Sequence, residues 1–143
     1  MFRQLTEAMF ASPQIGLAEV SAAADQGIAL IINNRPEGES DDQVAGPEIE
    51  AAARAAGMEY VAIPVTHAGF SQSQVDAMRD ALDAAKGPVL AYCRSGTRST
   101  LLWALAEAAG GANPDAIAAK AAAAGYDISP IRQMVEVLAA GKD

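Results

Sequence analysis

The sequence predicts an α/β domain with a central, mostly parallel sheet flanked by helices and a helical C-terminal half. Three observations predict it. Short apolar, β-branched runs alternate with helical segments as far as residue 93, and only helical segments follow. At 143 residues the chain is long enough to bury one core without disulfides or metal clips, so a single domain over residues 1–143 is expected.

The elements follow in order. FRQLTEAMFAS opens the chain as a weak strand-like run, and PQIGLAEVSAAADQ (13–26) reads as the first helix. GIALIINNRP (27–36) places a β-branched run between a glycine and a proline, the punctuation of a buried strand. GPEIEAAARAAG (46–57) is a second helix and MEYVAIPV (58–65) another strand. In SQSQVDAMRDALDAAKG (71–87), Val75, Met78, Leu82 and Ala85 recur at helical spacing on one face, while Asp76, Arg79, Asp80 and Asp83 lie mostly on the other. GPVLAYC (87–93) supplies the next strand, Val89 to Tyr92, whose carboxyl end delivers Cys93. A turn through residues 94–98 leads to a helix expected to begin near Ser99. NPDAIAAKAAAAGYD and SPIRQMVEVLAAGKD are further helices, with Asn113 and Ser129 as expected N-caps and Pro114 and Pro130 at first helical positions. The alanine-rich tract 116–124 suits a closely packed helix, because alanine has the highest helix propensity.

Charge narrows the partners. Ten Lys and Arg against 18 Asp and Glu leave a net charge of -8, which disfavours docking to nucleic acid or to an anionic membrane. No apolar run approaches the roughly 18 residues that a membrane span needs. A lone cysteine cannot close an intramolecular disulfide, so a reducing, cytoplasmic setting is expected. No group of His, Cys or carboxylates has metal-ligand spacing and no nucleotide loop is present, so neither metal nor cofactor is expected.

Against that acidic background, AYCRSGTRST (91–100) gathers the only cysteine, two arginines, a glycine and several hydroxyls. A short loop from a strand end into a helix points backbone N–H groups and the positive end of the helix dipole at one spot. An anion is held there, and a thiol is favoured as thiolate. On this reading Cys93 is a nucleophile toward an oxyanion or a sulfane sulfur, and the loop residues Arg94, Ser95, Gly96 and Thr97 line the anion site. Gly96 permits a backbone conformation that a side chain resists, and Arg98 presents a two-pronged donor to oxyanions. Ser99 either hydrogen-bonds the sulfur or caps the helix. A lone cysteine at a strand end is commonly a small buried apolar residue, but its neighbours suit neither a core nor an ordinary turn.

CRSGTRS (93–99) resembles the active loop of single-domain rhodaneses, where cysteine and arginine surround a persulfide. It also resembles the phosphate loop of the tyrosine and dual-specificity cysteine phosphatases, which has five residues between Cys and Arg where this chain has four. Rhodanese-like domains continue with a strand, a Gly-Gly pair and a late Trp; here helices follow Gly110 and Gly111, and Trp103 comes too early. The likeness over nearly the whole chain is to the bacterial phosphatase-like domain that also occurs joined to beta-lactamase-like hydrolases, carried by INNRPEGE (32–39), AIPV (62–65) and PVLAYCRSGTRS (88–99). That resemblance implies a cysteine-phosphatase-like fold.

It also implies hydrolysis of phosphomonoesters through a cysteinyl phosphate, with Cys93, Arg98 and Ser99 as the catalytic residues and a small anion or a phosphorylated protein as substrate. Tyr92 stands where those phosphatases usually have His. They also take a general-acid aspartate from the loop that here reads VTHAGFSQSQ, which holds no carboxylate. His67, the sole histidine, is either the proton donor or a solvated loop residue. Arg35 either contacts substrate or closes a salt bridge to Glu37 or Glu39. Two further functions stay open: sulfur transfer through a Cys93 persulfide, and anion or phospho-partner binding without turnover.

Overall fold

A computed structural model describes residues 2–141, so Met1, Lys142 and Asp143 of the predicted domain lie outside the described residues. The opening run is a hairpin rather than one strand. β1 (Arg3–Thr6) and β2 (Met9–Ser12) pair antiparallel, because the polar break at Glu7 is closed by Thr6 Oγ1 accepting the Ala8 N–H at 3.1 Å. Strand and helix then alternate as the periodicity predicts: α1 (Leu17–Asp25), β3 (Leu30–Asn33), α2 (Gly46–Ala55), β4 (Glu59–Ala62), α3 (Gln72–Ala84) and β5 (Val89–Tyr92). The sheet order is β1-β2-β5-β3-β4, and every pairing beyond the hairpin is parallel. β5 is last in sequence but central in space, and all four of its residues are buried.

The period of two sorts β5 between two cores. Val89 and Ala91 join Met9, Ala11, Leu30 and Ile32 in the core covered by α3 and the C-terminal helices. Leu90 and Tyr92 join Ile31, Val20 and Ile49 in the core beneath α1 and α2. The C-terminal helices are α4 (Thr97–Ala109), α5 (Pro114–Ala123) and α6 (Arg132–Ala140). α4 packs against α3, α5 and α6, and Leu102, Trp103 and Leu105 along it are each at most 1% exposed. Each such side chain contributes about 1.5–3 kcal/mol by leaving water.

Three helix starts differ from expectation. α1 begins at Leu17, behind a Gly16 cap, rather than at Pro13. α4 begins at Thr97 rather than near Ser99, because Gly96 occupies the cap in a left-handed conformation and its carbonyl accepts both the N–H and the hydroxyl of Thr100. Ser129 does not cap the last helix. Its N–H and hydroxyl both donate to the Asp127 carboxylate, and the chain makes a 3-10 turn (Ser129–Ile131) before α6 starts. Asn113 caps α5 as expected, accepting the Ala116 N–H at 3.1 Å.

The parallel register aligns Ser12, Tyr92, Asn33 and Ala62 at one level. All four parallel strands therefore end together, and the loops after them converge on one edge of the sheet, where open α/β sheets bind ligands.

Candidate functional site

Cys93 follows β5 at that edge and is fully buried. Its N–H donates to Ser12 O at 3.3 Å, and the next carbonyl, Arg94 O, accepts the Gln14 N–H at 3.2 Å, so the chain beyond β2 extends the pairing into the loop. The chain then turns at Gly96, whose φ of +94° is in the region that favours glycine. This turn brings the Gly96 N–H to 3.1 Å from Cys93 Sγ. Of the remaining loop side chains, Arg94, Ser95 and Thr97 are exposed, and Ser95 Oγ donates to Thr97 Oγ1 at 3.0 Å while accepting the Thr97 N–H at 3.3 Å.

Arg98, in the first turn of α4, spans the site. Its Nη1 donates to Glu39 Oε2 at 2.6 Å and to Val65 O at 2.7 Å, and its Nη2 donates to Glu39 Oε1 at 2.9 Å. A guanidinium has five N–H donors. Three are used among the described residues, which leaves Nε and the second Nη2 proton as a second, two-pronged edge. Glu39 also accepts from Arg35 Nε at 3.0 Å, so one carboxylate joins two arginines. Arg35 Nη1 and Nη2 donate to Gln14 Oε1 and Ser40 Oγ at 3.0 and 3.1 Å, and its side chain is 4% exposed. The salt bridge is thus the reading of Arg35 that the geometry favours.

The electrostatics follow from that contact. The hydrogen bonds from Arg98 pull Glu39 down from the ordinary 4.5 to about 2; burial opposes the shift, and Arg35 reinforces it. Arg98 is pushed up in turn, first by Glu39 and against burial, with the neighbouring Cys93 adding to the rise. Burial also pushes the Tyr92 hydroxyl up, so it stays neutral beneath the loop.

Ser99 does not cap the helix and donates no hydrogen bond to Cys93 Sγ among the described residues. It is fully buried, its Oγ has no hydrogen-bond partner among the described residues, and Gly96 holds the cap position. His67 is exposed on the segment between β4 and α3. That segment is tied to the site by Arg98 on Val65 O, by Val65 N–H on Asn34 O at 2.9 Å, and by Gln74 Nε2 on Pro64 O at 3.0 Å. The structure therefore gathers Cys93, Gly96 and Arg98, brings the His67 loop alongside, and assigns Arg35 to the framework. Sequence reasoning offered Glu39 only as one of two acids that could pair with Arg35 and missed its hold on Arg98, 59 residues away. It also missed Gln14 and Tyr126, for which no motif gives a signal.

The chain matches the family described as beta-lactamase hydrolase-like protein, phosphatase-like domain, over residues 1–112. The beta-lactamase hydrolase-like protein of Agrobacterium fabrum is 35% identical over 108 residues, which make up 76% of this chain and 25% of that protein. Across the curated relatives it matches, the chain spans 25% to 29% of their length. Among solved structures, a candidate phosphatase from Neisseria meningitidis z2491 superposes with a TM-score of 0.84 at 35% identity, covering 95% of this chain and 96% of that one. TpbA of P. aeruginosa, solved in complex with pTyr, superposes with a TM-score of 0.65 at 15% identity over 99% of this chain and 84% of its own, and at that identity the likeness is one of fold. The architecture is that of the tyrosine-phosphatase-like proteins.

Proposed function

The chain belongs to the phosphatase-like domain family of beta-lactamase hydrolase-like proteins, and on that premise we propose that it hydrolyses phosphomonoesters through Cys93, on small anions or on a phosphorylated protein. Cys93 attacks phosphorus as the thiolate, with the Gly96 N–H stabilising the sulfur. The free edge of Arg98 pairs with two phosphoryl oxygens, and further amides of residues 94–98 take up the charge that develops on them. Glu39 fixes the guanidinium plane from its other edge. The bond to the leaving oxygen breaks as His67 supplies a proton, and water then cleaves the cysteinyl phosphate, returning the thiolate and releasing phosphate. On this reading the Ser99 hydroxyl, buried and with no hydrogen-bond partner among the described residues, would have to turn toward Cys93 Sγ to ease the departure of the sulfur in that second step.

The observation that carries this reading is the Gly96 N–H on Cys93 Sγ beside the Arg98 guanidinium, whose second edge lies by Cys93 and has no oxygen partner among the described residues. Phosphate release from p-nitrophenyl phosphate tests it. Cys93→Ser should lower the rate on the order of a thousandfold or more, because a hydroxyl is a far weaker nucleophile at neutral pH. Retained activity in that variant would sink the mechanism.

A second reading is favoured by the four-residue spacing between Cys93 and Arg98 and by the missing carboxylate in residues 65–74. In sulfur transfer the Cys93 thiolate takes the outer sulfur of thiosulfate and sulfite leaves, a step that needs no acid. Intact mass spectrometry after incubation with thiosulfate would show one added sulfur atom, removable by cyanide. That signal together with no phosphate release would reverse the order of the two readings.

A further inference from the structure

Tyr126 lies between α5 and the 3-10 turn, beyond residues 1–112. We propose that it is a positioning residue: its hydroxyl holds the Ser95–Gly96 peptide in the orientation that aims the Gly96 N–H at Cys93. The inference rests on reading Cys93 as the reacting group.

Both ends of that one peptide are engaged. Its carbonyl, Ser95 O, accepts from Tyr126 Oη at 3.1 Å, and its N–H donates to Cys93 Sγ at 3.1 Å. A peptide flip, which glycine at a positive φ otherwise permits, would break both bonds together. A hydrogen bond to an amide carbonyl also polarises the group and strengthens its N–H as a donor. Contact is close as well, since a Cβ placed on Gly96 would overlap the Tyr126 hydroxyl.

Tyr126 is itself fixed from behind. Its N–H donates to Ala121 O at 2.9 Å, Arg3 lies over its ring at 5.2 Å from the centroid, and Arg3 Nη1 donates to Ala124 O at 3.2 Å. Burial pushes the hydroxyl up, against the charge of Arg3, so at neutral pH it keeps the proton that a carbonyl partner requires. Simple core filling would explain the ring, which is 8% exposed, but a phenylalanine would fill that space equally well. The hydroxyl is explained by Ser95 O.

Tyr126→Phe keeps the ring and removes the hydroxyl. Alkylation of Cys93 by iodoacetamide at pH 7 should slow about three- to tenfold, the range one hydrogen bond covers. The Gly96 amide resonance in a proton–nitrogen correlation spectrum should move in the same variant. Neither readout uses phosphate turnover, so the failure of the phosphatase reading and the failure of this one are told apart. An unchanged or faster alkylation rate with an unmoved Gly96 resonance overturns the proposal, even if the melting temperature falls. Should Tyr126→Phe fail to fold, Arg3→Met, which leaves the hydroxyl but frees the ring, should move both signals in the same direction by less; no movement there overturns it equally.

Discussion

The loop of residues 93–96 and the loop of residues 34–45 meet at the Arg98 guanidinium, and they hold their shapes by different means. The first is set chiefly by backbone, through the register of β5, the pairing with Ser12 and Gln14, the left-handed Gly96 and the first turn of α4 closing on the Gly96 carbonyl, with the uncharged Tyr126 hydroxyl on Ser95 O added from outside. The second is set by side chains. Glu39 bridges Arg35 and Arg98, Gln43 spans the Glu39 N–H and the Pro36 carbonyl, and Glu37 accepts the Gly46 N–H that opens α2. A loop held by backbone conformation is sensitive to a single methyl group and indifferent to pH, whereas one held by charge is the reverse. Cys93, the proposed nucleophile, sits on the first, and the orientation of Arg98 is decided by the second.

The sharpest way to break that contrast is Gly96→Ala. The left-handed backbone alone costs roughly 1–2 kcal/mol for a residue with a Cβ. The overlap with the Tyr126 hydroxyl adds to it. Urea unfolding should show a marked drop in midpoint, with activity lost in the folded fraction; an unaltered midpoint would mean that the loop is not held by its backbone.

Glu39→Gln tests the other loop. It leaves the Arg35 and Arg98 charges facing each other without a carboxylate, and should cost about 1–3 kcal/mol, between the values for exposed and buried pairs. The acid limb of stability is the finer readout. Glu39 is depressed from 4.5 to about 2, so its contribution is whole above 4.5 and is lost as pH falls toward 2. Stability measured between pH 5 and 2 should fall less steeply in Glu39→Gln than in the parent chain, and equal slopes would show that the carboxylate is not held by the arginines.

The smallest effect on stability belongs to the segment that neither device secures at its tip. His67→Ala, at an exposed position, should leave the unfolding midpoint within about 0.5 kcal/mol of the parent. Its effect on turnover should be selective, slowing alkyl phosphates more than p-nitrophenyl phosphate, because only a poor leaving group needs the proton. Equal slowing of both substrates would remove His67 as the acid.

Much of this was readable from local pattern. The apolar run of β5 predicts a buried strand because a strand covered on both faces has no polar positions to show, and Val89–Tyr92 is fully buried. Asn113 before Pro114 predicts a helix start because the side-chain oxygen and the missing N–H each answer a need of the first turn, and the cap is there. The same logic failed at Ser129, where Asp127, two residues upstream, takes the hydroxyl first. It failed at α4 because a glycine cap leaves no side-chain signature for a pattern to find.

Local pattern along the chain thus carries the order of elements, the two-sided burial of the sheet, and the presence of Cys93, Gly96 and Arg98 in one strand-to-helix turn, all of which depend on neighbours a few residues apart. The partner that each loop group faces depends instead on how distant elements pack. Glu39 reaches Arg98 because β3 and β5 are adjacent and end at one level, and Tyr126 reaches Ser95 because α5 packs on α4 and the chain beyond it returns to the loop. Those contacts span 59 and 31 residues of chain, and hydrogen bonds of that range leave no period in a sequence, since the partners are brought together by the packing of the sheet and helices between them.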